Sequence, residues 1–475
     1  MMDIKHLASE QSLTINGQTL NTDAQMDVIN PATGRVFAKA PVAGMSELNA
    51  AVDAASAAFT QWQSTDIKQR RQFIHQSAKA LLDNTQSLAN LLTLEQGRPL
   101  AQAKAEVAQA ADWISALAEI DLPNEKKIQT PDCDILVSHQ ALGVVCALVP
   151  WNYPLLTMAW KMAHAVLTGN TVVIKPSPTT PLASLQLGKL LGDIFPAGVV
   201  NTLSGGDDLG PMMTAHAGFA KVSFTGSTAT GKRIMRSAAD DLKRLTLELG
   251  GNDAAIVLAD FDMDKHLEAL FMSAFFNVGQ ICVATKRLYV HDSIYDEVKN
   301  RLHAMAQQLK VGDGMEPDSV FGPIQNKPQY QRVKHLIANA KAQGLTLLEG
   351  AAVPRNDGYF VPLTIVDNPP EDSQVVVEEA FGPVLPMMRF TDVEQVIRKA
   401  NQSEYGLGGS VWTSNIQQAI AIAKQINTGT VRINQNALGG PLMAFGGARQ
   451  SGLGLENGVE GLLEFTQRKN IVIPK

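Results

Sequence analysis

The stretch Gly143-Val144-Val145-Cys146-Ala147-Leu148-Val149-Pro150-Trp151-Asn152-Tyr153-Pro154 is where the sequence changes character. Val144–Val149 is a continuous apolar run of buried-strand length, and it breaks into a turn bounded by prolines. Similar runs follow at Thr171–Ile174, Val199–Leu203, Lys221–Phe224 and Ala254–Leu258, most of them separated by enough chain for a helix. Strand–helix–strand alternation of this kind implies a parallel sheet with helices on both faces. A dinucleotide-binding domain is the usual host of the pattern, although any other α/β domain satisfies the alternation alone.

Upstream, the chain reads helical. Leu48, Ala51, Val52, Ala55, Ala58, Phe59 and Trp62 recur every three to four residues from Ser46 on, which is one buried helix face. A second periodic stretch runs through Phe73, Ile74, Ala78, Leu81 and Leu82. A third, through Leu88, Leu91 and Leu92, stops near Gly97 and Pro99. Downstream, a second α/β set occupies about 271–434, with strand candidates Arg287–Val290, Val384–Phe390, Gly409–Trp412 and Thr430–Ile433. Lys126–Ser138 and Leu463–Pro474 have extended character and are expected to pair as an arm outside the main body.

Composition narrows the class. The 475 residues suffice for two or three domains, and 45% hydrophobic against 18% charged residues can bury a large core. The 40 Lys+Arg against 46 Asp+Glu leave a net charge of −6, with no basic field for nucleic acid. The longest apolar stretch, near Ala141–Trp151, is far short of a membrane helix, and the N-terminus lacks a signal-peptide run. Three scattered cysteines make neither a disulfide framework nor a zinc cluster. A cytoplasmic enzyme without a metal is the expectation.

Four segments carry chemistry. Cys282 lies in Phe276-Asn277-Val278-Gly279-Gln280-Ile281-Cys282-Val283-Ala284. A lone Cys among apolar neighbours is most often inert, but Asn277, Gly279 and Gln280 argue for a turn that could face a ligand. Glu248 sits in an apolar segment running into Gly250-Gly251. It is either an exposed strand end or a buried carboxyl with a raised pKa suited to a general base. Asn152 follows a strand end, where ligands collect in open α/β sheets. It is either an amide donor to an oxyanion or a turn former between two prolines. Phe224-Thr225-Gly226-Ser227 leads from a strand into a helix and can turn backbone N–H groups toward a pyrophosphate, although it is neither a GxGxxG nor a Walker A motif.

Taken together, these segments resemble the aldehyde dehydrogenase superfamily over nearly the whole chain. Further matches are Lys175-Pro176-Ser177, Glu379-Ala380-Phe381-Gly382-Pro383, Phe445-Gly446-Gly447 and Ser451-Gly452-Leu453-Gly454. The resemblance implies an α/β fold with a Rossmann-type cofactor domain (1–122 and 142–249, plus about 446–465), an α/β catalytic domain (250–445) and a β-arm for oligomerisation (123–141 and 466–475). It implies Cys282 as nucleophile, Asn152 as oxyanion donor and Glu248 as the base that activates the hydrolytic water. For the cofactor it implies Lys175 at the adenosine ribose, Gly226 and Ser227 at the pyrophosphate, and Glu379 and Phe381 at the nicotinamide ribose. The backbones of Leu249 and Trp151 would lie along the cofactor. Met158, Trp160, Met162, Ile281, Val283 and Phe445 would line an apolar aldehyde tunnel.

Two positions depart from the common pattern. Three residues after Lys175, many NAD-preferring members carry a Glu, whereas here Pro178 follows Ser177. A carboxylate there would repel the 2′-phosphate of NADP and Pro does not, so NAD with NADP tolerance is expected. The other is Leu455, where Arg is common, and nothing explains it. No Arg is evident to anchor a substrate carboxylate, although Arg449 could fold into the entrance. A neutral aliphatic or aromatic aldehyde is therefore favoured over a dicarboxylic semialdehyde. Glu248 argues against a CoA-acylating enzyme. The presence of Cys282, Glu248 and Asn152 argues against a silent binding or structural member, and a Cys hydrolase without redox chemistry is a further alternative. The expected partners are the aldehyde and further copies of the chain, as a homodimer or homotetramer, with no nucleic acid or membrane.

Overall fold

The computed structural model describes Ala8 and residues 10–122, 125–354, 357–436 and 439–475. Positions 1–7, Ser9, 123–124, 355–356 and 437–438 of the layout expected above lie outside the described residues.

Two sheets dominate. The first has eight strands in the order Gln18–Leu20, Leu13–Ile15, Val200–Thr202, Thr171–Lys175, Val144–Leu148, Lys221–Thr225, Arg244–Glu248 and Gly452–Leu453. Its middle is parallel, and its apolar runs are buried on both faces by helices. Its edges differ from the parallel expectation. Leu13–Ile15 and Gln18–Leu20 form an antiparallel hairpin, and Gly452–Leu453 pairs antiparallel with Leu247 and Glu248. The hairpin has a local cause: Asn16 and Gly17 both take positive φ, the conformation of a two-residue Asn-Gly turn.

The second sheet runs Thr346–Glu349, Thr364–Asp367, Val384–Phe390, Thr285–His291, Asp253–Val257, Gly408–Trp412 and Thr430–Ile433. It is parallel apart from its antiparallel first strand. A large apolar core packs the first sheet, and two smaller ones cover the faces of the second.

The N-terminal periodicities are the helices Met45–Trp62, Ile67–Asp83 and Thr85–Gln96. The last ends at Gly97, whose left-handed φ of 95° closes the helix and turns the chain into Pro99 and a further helix, Leu100–Ala118. Lys126–Gln129, Cys133–Ala141 and Thr466–Pro474 form a separate three-stranded antiparallel sheet, in which Thr466 to Pro474 pairs residue by residue with Ala141 to Cys133. No helix among the described residues is long and apolar enough to cross a membrane, and among them no cluster of His, Cys, Asp and Glu could hold a metal ion.

Candidate active site

The site lies between the two sheets. Glu248 is the last residue of Arg244–Glu248, Asn152 follows the carboxyl end of Val144–Leu148, and Cys282 lies just before Thr285–His291. The approach to Cys282 is an unusual piece of backbone. Asn277, Val278 and Gly279 all have φ between 49° and 73°. For β-branched Val278 that is a strained conformation, and it persists because its surroundings fix it. A side chain at Gly279 would strike the Gly382 carbonyl at 2.4 Å, so the turn closes against the loop that carries Glu379.

Buried hydrogen bonds hold the turn. Asn152 Nδ2 donates to the Gln280 carbonyl at 3.0 Å, which fixes the amide and leaves its second N–H uncommitted. Gln280 Nε2 donates to the Asn277 carbonyl at 3.2 Å, and Gln96 Nε2 donates to Asn277 Oδ1 at 3.2 Å. The Arg98 guanidinium donates to the Asn152 carbonyl and to Gln96 Oε1, pairs with Glu106 at 2.5 Å, and stacks over the Tyr153 ring at 4.2 Å. Glu106 Oε1 also accepts the N–H groups of Leu155 and Leu156, capping the helix Pro154–Leu167. None of Gln96, Arg98 and Glu106 stood out in the sequence. The signal was a set of polar residues at inward positions, Gln96 and Glu106 on otherwise apolar helices and Arg98 in the loop between them.

Two cavities meet here. One, of about 310 Å³, is a tunnel whose walls include Trp113, Tyr153, Trp160, Phe276, Ile281, Val283 and Phe445, with Glu248 among its lining. The other, of about 870 Å³, is a cleft lined by Trp151, Lys175, Ser177, Pro178, Gly226, Ser227, Leu249, Glu379 and Phe381. Cys282 and Asn152 line both.

Met158 and Met162 correct the tunnel expected from sequence: they are buried in the core and do not line it. Helix geometry is the reason. Tyr153, Leu156, Thr157 and Trp160 recur at helical spacing and share the tunnel face, whereas Met158 and Met162 are one turn apart on another face. Arg98 and Arg432 line the tunnel, which the sequence did not show, but both are engaged within the protein: Arg98 pairs with Glu106, and Arg432 donates to the Val283 carbonyl at 2.6 Å and reaches Asp253 at 3.5 Å. Arg449 stays outside, donating to the carbonyls of Asn401, Ser403 and Asn427.

The charges in the site are tuned by burial. Glu248 is buried, and neither carboxylate oxygen is hydrogen-bonded among the described residues. Burial first, and the nearby Glu456 second, hold its carboxyl well above the usual range, against the pull of Lys161. For Glu456 burial pushes the same way, but Lys161 at 2.5 Å, His164 and the Ser223 hydroxyl outweigh it and keep the acid ionised. The Cys282 thiol is pushed up to about 12 by burial, opposed by Lys286 and reinforced by Glu248, Asp253 and Glu379.

In the cleft, Ser227 caps the helix Thr228–Ala238 through the Thr230 N–H, and Gly226 N–H donates to the Glu248 carbonyl. A side chain at Gly250 would fall 2.3 Å from Glu379 Oε2, so this glycine keeps the backbone close to that acid. Phe381, at a φ of 46°, packs edge-on against Trp151 at 5.3 Å. Burial lowers Lys175 to about 8, with Asp207 opposing.

A thiol thus sits where a narrow tunnel joins a wider cleft, and a buried carboxylate without a hydrogen-bond partner among the described residues faces the same tunnel. Residues 19–471 match the model of the aldehyde dehydrogenase family. The chain belongs to the aldehyde dehydrogenase family. A probable aldehyde dehydrogenase of Pseudomonas sp. is 42% identical, over 97% of this chain and 94% of that one. The phenylacetaldehyde dehydrogenase of Pseudomonas fluorescens is 36% identical over 99% and 97%. Other relatives carry the names of semialdehyde dehydrogenases. The NAD+ complex of a Bacillus cereus aldehyde dehydrogenase superposes with a TM-score of 0.93 at 34% identity, covering 100% of this chain and 99% of that one. The reaction class of this family member is oxidation of an aldehyde to a carboxylic acid.

Proposed function

We propose that this aldehyde dehydrogenase oxidises neutral aromatic or medium-length aliphatic aldehydes through a covalent Cys282 intermediate. The observation that carries the reading is that tunnel and cleft share Cys282 and Asn152. An aldehyde in the tunnel presents its carbonyl carbon to the sulfur; the thiol gives its proton up to solvent, and attack of the thiolate gives a tetrahedral thiohemiacetal. The free N–H of Asn152 then holds the oxyanion, a contact that typically contributes about 2.7–4 kcal/mol to lowering the barrier.

The cleft fits a nicotinamide dinucleotide. A capped helix N-terminus with Lys175 suits the pyrophosphate and adenosine ribose, and Glu379 suits ribose hydroxyls. When bound, the dinucleotide supplies the hydride acceptor. Loss of hydride leaves a thioester on Cys282. Glu248, lacking any other partner, takes the proton from the water that attacks the thioester, and the acid departs as the thiol returns.

Pro178 places no carboxylate beside a 2′-phosphate, and Arg233 lines the same cleft, while Asp207 keeps one negative charge there. NAD is therefore the default cofactor and NADP is tolerated. The tunnel's aromatic walls and internally paired arginines favour neutral substrates. An aldehyde panel scored by kcat/KM with each dinucleotide tests both points. Hexanal or benzaldehyde should exceed succinic semialdehyde, and NADP should give measurable turnover. The reverse ranking, or none with NADP, overturns the corresponding part.

We also read the chain as a cytoplasmic homo-oligomer in two domains and an arm. Among the described residues the outer edge of Thr466–Pro474 is unpaired, and Ile471, Val472 and Ile473 are exposed on that strand. Edges of this kind are normally covered, and adding a strand from another copy covers this one. Light scattering after size exclusion should give a dimer or tetramer. A monomer would leave the arm packed on its own subunit.

A further inference from the structure

Beneath Cys282 lies a cation that the mechanism above does not use. Lys286 sits on the buried strand Thr285–His291, four residues after the nucleophile. Its ammonium donates to the Cys282 carbonyl at 2.5 Å and reaches Glu379 Oε1 at 3.2 Å, the same oxygen that accepts the Gly251 N–H at 3.0 Å. It also lies 5.9 Å from the centroid of the Phe381 ring. One ammonium thus bridges the nucleophile's own peptide and the acid of the dinucleotide cleft.

We propose that Lys286 is a positioning residue for the nucleophile: it anchors the Cys282 peptide, supplies the positive charge that favours the thiolate, and shares that charge with Glu379. The proposal rests on Cys282 being the nucleophile of the reading above.

The charges facing Cys282 come from several elements. Glu248 ends Arg244–Glu248, Asp253 begins Asp253–Val257, and Glu379 lies in the loop before Val384–Phe390. Arg432 on Thr430–Ile433 and the Tyr153 phenol also feel the sulfur. Arg432 is engaged by the carbonyls of Val283 and Asn436 and by Asp253. Lys286 is the main cation that lowers the thiol pKa, and the three carboxylates raise it. The two halves of the Lys286–Glu379 pair therefore act on the thiol in opposite directions. A merely structural tie between loop and cleft would instead make both substitutions act in the same direction.

The test is the pH dependence of Cys282 alkylation by iodoacetamide in the full chain without dinucleotide. It is read by mass spectrometry of the Cys282 peptide in a Cys133→Ser background. Lys286→Met should slow alkylation at pH 8 by about tenfold, the effect of one pKa unit. Lys286→Arg should recover most of the rate, and Glu379→Gln should quicken it above the parent. An unchanged profile in Lys286→Met, or slowing in Glu379→Gln, overturns the proposal. If Lys286→Met does not fold, the Arg and Glu379→Gln variants decide by the same signs. Alkylation reports the thiol itself, so failure here leaves aldehyde oxidation standing. Loss of the Cys282 mechanism would show in turnover while these shifts persisted.

Discussion

Glu106 and Glu248 are both buried glutamates facing the same tunnel, and burial raises the pKa of both. Their surroundings differ. Glu106 is paired with Arg98 at 2.5 Å and accepts two N–H groups at the start of a helix, so its charge is spent on holding structure. Glu248 has no hydrogen-bond partner on either oxygen among the described residues and sits near the Lys161–Glu456 pair without joining it. Burial alone therefore does not separate a structural carboxylate from a chemical one. The partner list does, because an unsatisfied buried carboxyl costs stability that only a function would retain.

That contrast divides the tunnel into a scaffold wall and a reacting wall, and substitutions should separate them. The largest effect is expected at the sulfur between the walls: Cys282→Ala should abolish dinucleotide reduction with the fold intact, measured by nicotinamide absorbance beside a thermal melt. Next is Glu106→Gln, which leaves the Arg98 guanidinium buried without its counter-ion. It should cost about 3–5 kcal/mol of stability in denaturant titration. If it instead left stability unchanged and lowered turnover alone, Glu106 would belong to the reacting wall. The smallest effect is the pH profile of the parent enzyme. In the proposed mechanism Glu248 acts as a base only when deprotonated, and its carboxyl lies well above the usual range, so steady-state turnover should rise with pH through a midpoint well above ~4.3. A midpoint at that ordinary value would mean Glu248 is solvated in the working enzyme.

Much of this was readable along the chain. The apolar runs from Val144 to Leu258 correspond to parallel strands because buried strands need unbroken hydrophobicity. The turns at Asn152, Gly226 and Cys282 stand out because they interrupt it. What escaped had physical reasons. Asn16-Gly17 encodes a hairpin too short to show periodicity. Met158 and Met162 are as apolar as Trp160, so composition could not tell which helix face meets the tunnel. Arg98 and Glu106 are eight residues apart on successive stretches of chain, and only folding shows that each neutralises the other over Asn152. Nothing in the sequence marked Lys286, and only the fold places its ammonium against the Cys282 carbonyl.

The division of labour between Cys282 and Glu248 is tested most directly by rapid mixing of the Glu248→Gln variant with aldehyde and NAD. The account predicts a burst of about one dinucleotide reduced per subunit, followed by a steady state slower than the parent's by roughly 10²–10⁴-fold, since acylation does not need the base and deacylation does. A trace without a burst, with both phases slowed equally, would contradict it.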